Sequence, residues 1–141
     1  MNNKNIEIRF INNWKEDEIV DLYKAGGWWK ESYNKDVINS MIIGSFAFAV
    51  AIDSTTGKAI GMGRVISDGT SDAYIQDTVV LKEYRGHGIG ERLVKSLIDH
   101  CISKGIVWIG LIAEPGKDGF YKSLGLKPMK NHVPMIYKLE D

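Results

Sequence analysis

Cysteine is nearly absent: Cys101 is the single one in 141 residues, so no disulfide can form within the chain. It stands beside Ile98 and Ile102 in a helical pattern, where a small packed hydrophobe is expected rather than a reactive thiol. Net charge is missing too. The 18 basic residues offset 18 acidic ones, which removes the basic excess that nucleic acid or an anionic membrane would attract. No apolar run approaches the roughly 20 residues of a membrane span, and Met1–Arg9 carries no hydrophobic signal region, so a cytoplasmic protein is expected, with neither nucleic acid nor membrane as partner. His87, His100 and His132 lie far apart, with no cysteine or carboxylate at metal-ligand spacing, so no metal is expected. The G-x-S-x-G elbow of serine hydrolases is also lacking. With no repeat or linker to divide it and 44% hydrophobic residues, the chain 1–141 is expected to form one domain with a real core.

What is present is an alternation of strand and helix patterns. Ile6, Ile8 and Phe10 alternate with polar residues as a strand does, and Trp14–Ala25 carries Ile19, Leu22 and Tyr23 at helical spacing. Gly26-Gly27 stops that helix, and a second short helix is expected over Lys35–Ile43. Strands are expected at Ser45–Asp53, Ala59–Ser67 and Asp72–Leu81, separated by turn signals at 53–57 and 68–70. Leu93, Val94, Leu97, Ile98, Cys101 and Ile102 give Glu91–Ser103 one apolar stripe, ended by Gly105. Val107–Ala113 reads as a strand buried on both faces, Gly116–Leu124 as a helix, and Met135–Leu139 as a last strand. The order β α α β β β α β α β predicts a three-layer α/β (α+β) domain whose sheet turns from antiparallel to parallel near residue 85.

That point is the most informative stretch of the chain. Arg85-Gly86-His87-Gly88-Ile89-Gly90 lies between a strand and a helix start, where backbone N–H groups can converge on a phosphate. Glycines at 86, 88 and 90 remove Cβ atoms that would hold a diphosphate away, and Arg85 can add a charge-assisted bond. The spacing is G-x-G-x-G, late in the chain, and matches neither the Rossmann fingerprint nor the P-loop.

These residues resemble the GNAT superfamily of N-acetyltransferases. Arg85, Gly88 and Gly90 meet its Q/R-x-x-G-x-G/A motif, and Phe120-Tyr121-Lys122-Ser123-Leu124-Gly125-Leu126 is similar to its F-Y-x-x-x-G-F segment, with leucine for the last aromatic. Short members that resemble serotonin acetyltransferases share the D-x-V-V of Asp77–Val80 and the F-Y-x-x-L-G of Phe120–Gly125. The resemblance implies a central mixed sheet of about six to seven strands, splayed between the fourth and fifth, with helices on both faces. It implies acetyl-CoA as co-substrate, its pantetheine arm on the backbone around Thr78, Val79 and Val80 and its diphosphate on the N–H groups from Arg85 to Gly90. Many such enzymes dimerise through late strands, which makes Met135–Leu139 a candidate for pairing in a homodimer or else a simple covered edge.

Acetyl transfer needs a neutral amine, yet an alkylamine with pKa about 10.4 is neutral in only about one part in several thousand at pH 7. A proton route worth roughly 4–5 kcal/mol is therefore required. Asp77, on the strand beside the expected thioester, and Glu114, at the end of the neighbouring strand, are the carboxylate candidates; each could instead be a structural charge. Strand alternation puts Tyr74, Gln76 and Thr78 on one face and Asp77 on the other unless a bulge intervenes, so water held by Tyr74 and Gln76 is the alternative carrier. The resemblance makes Tyr121 the acid that protonates the departing thiolate. Trp28 and Trp29 are expected in the acceptor pocket or its lid, or as a hydrophobic plug. The expected reaction is acetyl transfer to a primary amine of a small molecule; transfer to a protein lysine or N-terminal amine, and a non-catalytic acyl-CoA sensor, are the alternatives.

Overall fold

The computed structural model describes residues 5–139. The chain divides after Leu111 into two compact units. The first contains a five-stranded sheet in the order β1 (Ile6–Phe10), β2 (Ala47–Asp53), β3 (Lys58–Ser67), β4 (Asp72–Val80), β5 (Trp108–Gly110), with the first three pairings antiparallel and the last parallel. Helices α1 (Glu16–Ala25) and α2 (Ile38–Gly44) precede β2, and α3 (Ile89–Ser103) links β4 to β5. The second unit holds one short helix, α4 (Asp118–Ser123).

Alternation along β2 explains the layering. Phe48, Val50 and Ile52 join Ile19, Leu22 and Tyr23 of α1 and Ile38 and Ile42 of α2 in one buried cluster, while the intervening alanines face the other way. On that opposite face Ala49 and Ala51 pair with Gly63 and Gly61 of β3, making a trough of small residues. Helix α3 fills it: a Cβ on Gly61 would sit 3.1 Å from Leu93 Cδ1, and one on Gly63 would sit 3.0 Å from Leu97 Cδ1. Ile89, Leu93, Val94, Leu97 and Cys101 are its buried stripe. Burial pushes the Cys101 thiol pKa up, which fits a packing role.

Three expectations about the sheet are corrected. Five strands are present among the described residues, rather than six to seven. The fifth covers Trp108–Gly110 instead of Val107–Ala113, and it is not buried on both faces, with Val107 91% exposed. Its ladder is short because it meets β4 only at Asp72–Tyr74. Met135–Leu139 is irregular and exposed: its apolar residues Met135, Ile136, Tyr137 and Leu139 have no ladder partner among the described residues, and apolar composition alone cannot make a strand. No described helix is long and apolar enough to cross a membrane, and no described group of His, Cys, Asp or Glu is placed to hold a metal.

Candidate active site

The turn between β4 and α3 takes its shape from two left-handed glycines. Gly86 has φ 82° and Gly88, the N-cap of α3, has φ 77°, values that strain any residue with a Cβ. Nothing lies within 4 Å of a Cβ built on Gly86, so backbone conformation, not crowding within the protein, demands glycine there. The first N–H inside α3 to find its acceptor belongs to Arg92, bonded to Gly88 O at 3.1 Å. Helix geometry therefore leaves the amides of Ile89, Gly90 and Glu91 without in-helix acceptors, at the positive end of a 15-residue dipole. Ile89 can offer only its amide, because its side chain is 1% exposed in the core. His87 is half-buried in the same turn.

Neighbouring contacts fix the turn to the sheet. Arg85 Nε donates to Val80 O at 2.8 Å, so the guanidinium is tethered to the end of β4 rather than swinging free. A 3-10 turn over Lys82–Tyr84 carries Tyr84, whose Oη donates to Asp53 Oδ2 at 2.8 Å and holds the Asp53 carboxyl below its usual pKa.

Upstream, β4 presents an open edge. β5 covers only Asp72–Tyr74, so the backbone of Ile75–Val80 that faces away from β3 is paired with no strand among the described residues. A bulge interrupts the other edge, where Met62 pairs with Val79 and Arg64 with Gln76, leaving Asp77 and Thr78 opposite Gly63. Asp77 is the bulged residue, with φ 58°.

The bulge resets which residues share a face. Tyr74, Gln76 and Asp77 lie on the α1 side, as does Val79, which is packed in that core, while Thr78 turns toward α3. Simple alternation would have put Gln76 and Thr78 on one face and Asp77 on the other; the bulge is the exception foreseen to that pattern, and it brings Asp77 to the face of Gln76. Thr78 Oγ1 is buried without a hydrogen-bond partner, 3.2 Å from where a Cβ on Gly63 would stand. Val80 pairs with Gly61, also on the α3 side.

Asp77 is gripped from two elements. Tyr23 Oη donates to its Oδ2 at 2.7 Å, and Arg64 Nε donates to the same oxygen at 2.6 Å, so the structural reading of this carboxylate as the partner of a cation is met. Burial first, then the charge of Asp77 and their hydrogen bond, push the Tyr23 pKa upward, so this phenol keeps its proton at neutral pH. Trp28 and Trp29 rest on Tyr23, with ring centroids 6.2 and 6.4 Å away, and Trp29 meets Tyr33 edge-on at 5.4 Å. Gly27, at φ 79°, makes the turn that returns Trp28 N–H to Tyr23 O at 3.0 Å. Tyr74 is exposed and lies 5.3 Å from the Trp108 ring, and Gln76 is exposed next to Asp77.

Glu114 and Tyr121 belong to the second unit. Glu114 does not end a strand, since β5 stops at Gly110; it opens a turn in which its carbonyl accepts from Lys117 N–H at 2.9 Å. Tyr121 lies in α4 with its ring 4.9 Å from Phe120, and its carbonyl accepts from Leu124 and Leu126 N–H at the helix end.

Comparison with known proteins decides the family. Residues 10–126 match the model of the acetyltransferase (GNAT) family. The chain belongs to that family. Among GNAT relatives it is 33% identical over 111 residues to an uncharacterized N-acetyltransferase, ycf52, of Pyropia yezoensis, covering 77% of this chain and 62% of that one. It is 35% identical over 72 residues to the chloroplastic serotonin N-acetyltransferase 2 of Oryza sativa subsp. japonica, covering 51% of this chain and 36% of that one. The chain thus spans about a third to three fifths of the length of these curated relatives. Its structure superposes on a GNAT-family protein of Streptococcus pneumoniae with TM-score 0.79 and 26% identity, covering 96% and 99% of the two chains.

Two residues of this candidate site escaped the sequence reading. Tyr23 resembles any apolar-face residue of α1, and Arg64 any polar position of β3; they lie 54 and 13 residues from Asp77. The available signal was weak: an isolated arginine within the otherwise apolar run Ala59–Ile66 needs a partner when the strand is buried.

Proposed function

We propose that the chain is an acetyl-CoA-dependent N-acetyltransferase that acetylates a primary amine of a small molecule by direct attack in a ternary complex. The observation that carries this reading is the open β4 edge over Ile75–Val80, leading into left-handed Gly86 and Gly88 at the start of α3. An unpaired strand edge suits an amide-bearing, strand-like ligand arm, and uncapped helix amides suit the diphosphate that follows it. The residues therefore fit acetyl-CoA: backbone of Thr78, Val79 and Val80 for the arm, amides from Gly86 to Gly90 for the diphosphate, with Arg85 near. Bound there, acetyl-CoA would supply an acyl group activated as a thioester.

The chain's own groups have the following proposed roles. Backbone N–H at the bulge polarises the acyl carbonyl. Asp77 takes the proton that the amine gives up, directly or through water held by Gln76 and Tyr74. Tyr121, in the segment that resembles the family's F-Y motif, gives its proton to the leaving thiolate. Glu114 is the weaker candidate base, because it does not continue β5. Trp28 and Trp29, packed edge-on and tilted against the tyrosine that holds Asp77, form the acceptor wall and favour amines with an apolar or aryl substituent. We read residues 1–141 as one acetyltransferase domain, a reading supported by the single family model that matches residues 10–126.

Incubation with acetyl-CoA and a panel of alkyl and arylalkyl amines, following free thiol, tests the reading. Amine-dependent thiol release with an acetylated small amine supports it. Acetyl-CoA binding without release points to a sensor, and acetylation confined to peptides replaces the acceptor class.

A further inference from the structure

We infer that Tyr23 and Arg64 are positioning residues that clamp the Asp77 carboxylate and the bulge beneath it, an inference that rests on the acetyl-transfer reading above. Three elements meet at one oxygen: Tyr23 of α1 and Arg64 of β3 both donate to Asp77 Oδ2 of β4, at 2.7 and 2.6 Å. Two donors on Oδ2 leave Oδ1 as the oxygen that can accept from an amine. The clamp is itself held. Arg64 Nη1 reaches Ser45 Oγ at 3.5 Å, and Ser45 Oγ donates to Met41 O at 2.8 Å at the end of α2. Tyr23 is 6% exposed, wedged between the core and the Trp28 and Trp29 rings.

The backbone gives the clamp its purpose. Asp77 stands at φ 58°, a left-handed conformation that Asp and Asn tolerate better than other non-glycine residues and that its surroundings here impose. The bulge it forms keeps Asp77, Gln76 and Tyr74 on the α1 face and turns Thr78 away. A side chain pinned by two charge-assisted hydrogen bonds supplies that imposition. Because burial and the neighbouring carboxylate raise the Tyr23 pKa, its hydroxyl remains a donor throughout the neutral range.

The test compares the full wild-type chain with Tyr23→Phe, Arg64→Gln, Arg64→Lys and the Tyr23→Phe/Arg64→Gln double variant. Measured quantities are kcat and KM for an amine identified in the panel, the Kd for acetyl-CoA, and hydrogen exchange of the Asp77 and Thr78 amides by NMR. Tyr23→Phe keeps the packed ring and should fold. It and Arg64→Gln should each lower kcat by about 10- to 100-fold, the range expected when a reacting group is displaced, with acetyl-CoA Kd unchanged and faster exchange at both amides. Arg64→Lys should recover part of the rate, and the double variant should lose less than the product of the singles, since both donors serve one carboxylate. A lowered melting temperature with kcat and amide exchange unchanged would make the contacts mere packing and overturn the inference. If the wild type shows no amine-dependent thiol release, the acetyl-transfer reading fails by itself; amide exchange in Tyr23→Phe then decides the clamp, and an unchanged rate there overturns it.

Discussion

Replacing Gly88 with alanine separates backbone strain from crowding at the corner proposed to grip the diphosphate. Gly88 stands at φ 77°, and an added Cβ would meet only Glu91 Oε2, at an ordinary 3.8 Å. The perturbation is thus conformational: a left-handed L-residue costs about 1–2 kcal/mol. That strain has two outlets. If the turn keeps its shape, the folded state loses about 1–2 kcal/mol and acetyl-CoA affinity holds. If the turn relaxes to negative φ in the free protein, stability holds and Kd rises by about 5- to 30-fold, as the ligand must then restore the strained shape. The two losses, read by calorimetric titration and by urea denaturation, should sum to about 1–2 kcal/mol. Gly88→Asn should recover part, because asparagine tolerates this region. Gly119→Ala is the control: Gly119 lies in α4 without positive φ or close neighbours, and alanine there should cost nothing. Gly88→Ala with neither affinity nor stability changed would refute the claim that conformation makes glycine necessary at this turn.

Other outcomes follow from the same structure. Gly63→Ala places a Cβ 3.0 Å from Leu97 Cδ1 and 3.2 Å from Thr78 Oγ1, so thermal denaturation should show the overpacking loss of about 1–3 kcal/mol. Tyr84→Phe removes the hydrogen bond that holds the 3-10 turn to Asp53, and acetyl-CoA Kd should rise a few-fold in titration while the fold persists. Folding raises the Tyr23 pKa, so the native state favours the neutral phenol; that contribution is complete below the unfolded value of about 10 and is lost as pH rises toward the folded one. Wild-type stability should accordingly fall more steeply than that of Tyr23→Phe above about pH 10 in urea titrations. Tyr121→Phe should lower turnover strongly with little change in acetyl-CoA affinity; unchanged turnover removes Tyr121 from the reaction.

By itself, the sequence determined what depends on neighbours along the chain. The apolar stripe of α3, the alternation of β2 and the left-handed turns at Gly27, Gly86 and Gly88 are local, set by helical or strand period and by the one residue type that takes positive φ freely. The acetyltransferase motif was legible for the same reason, being a contiguous turn at a helix start. Met135–Leu139 shows the limit of such reading, because a short apolar run states a preference that only a paired strand can realise. Tertiary structure alone decided the face of Asp77: one extra residue opposite Gly63 inverts the alternation, and register is a property of two strands together. It alone also brought Tyr23 and Arg64 to a single carboxylate oxygen, since a helix, a strand and a bulge converge there only once the sheet has paired and α1 has packed upon it.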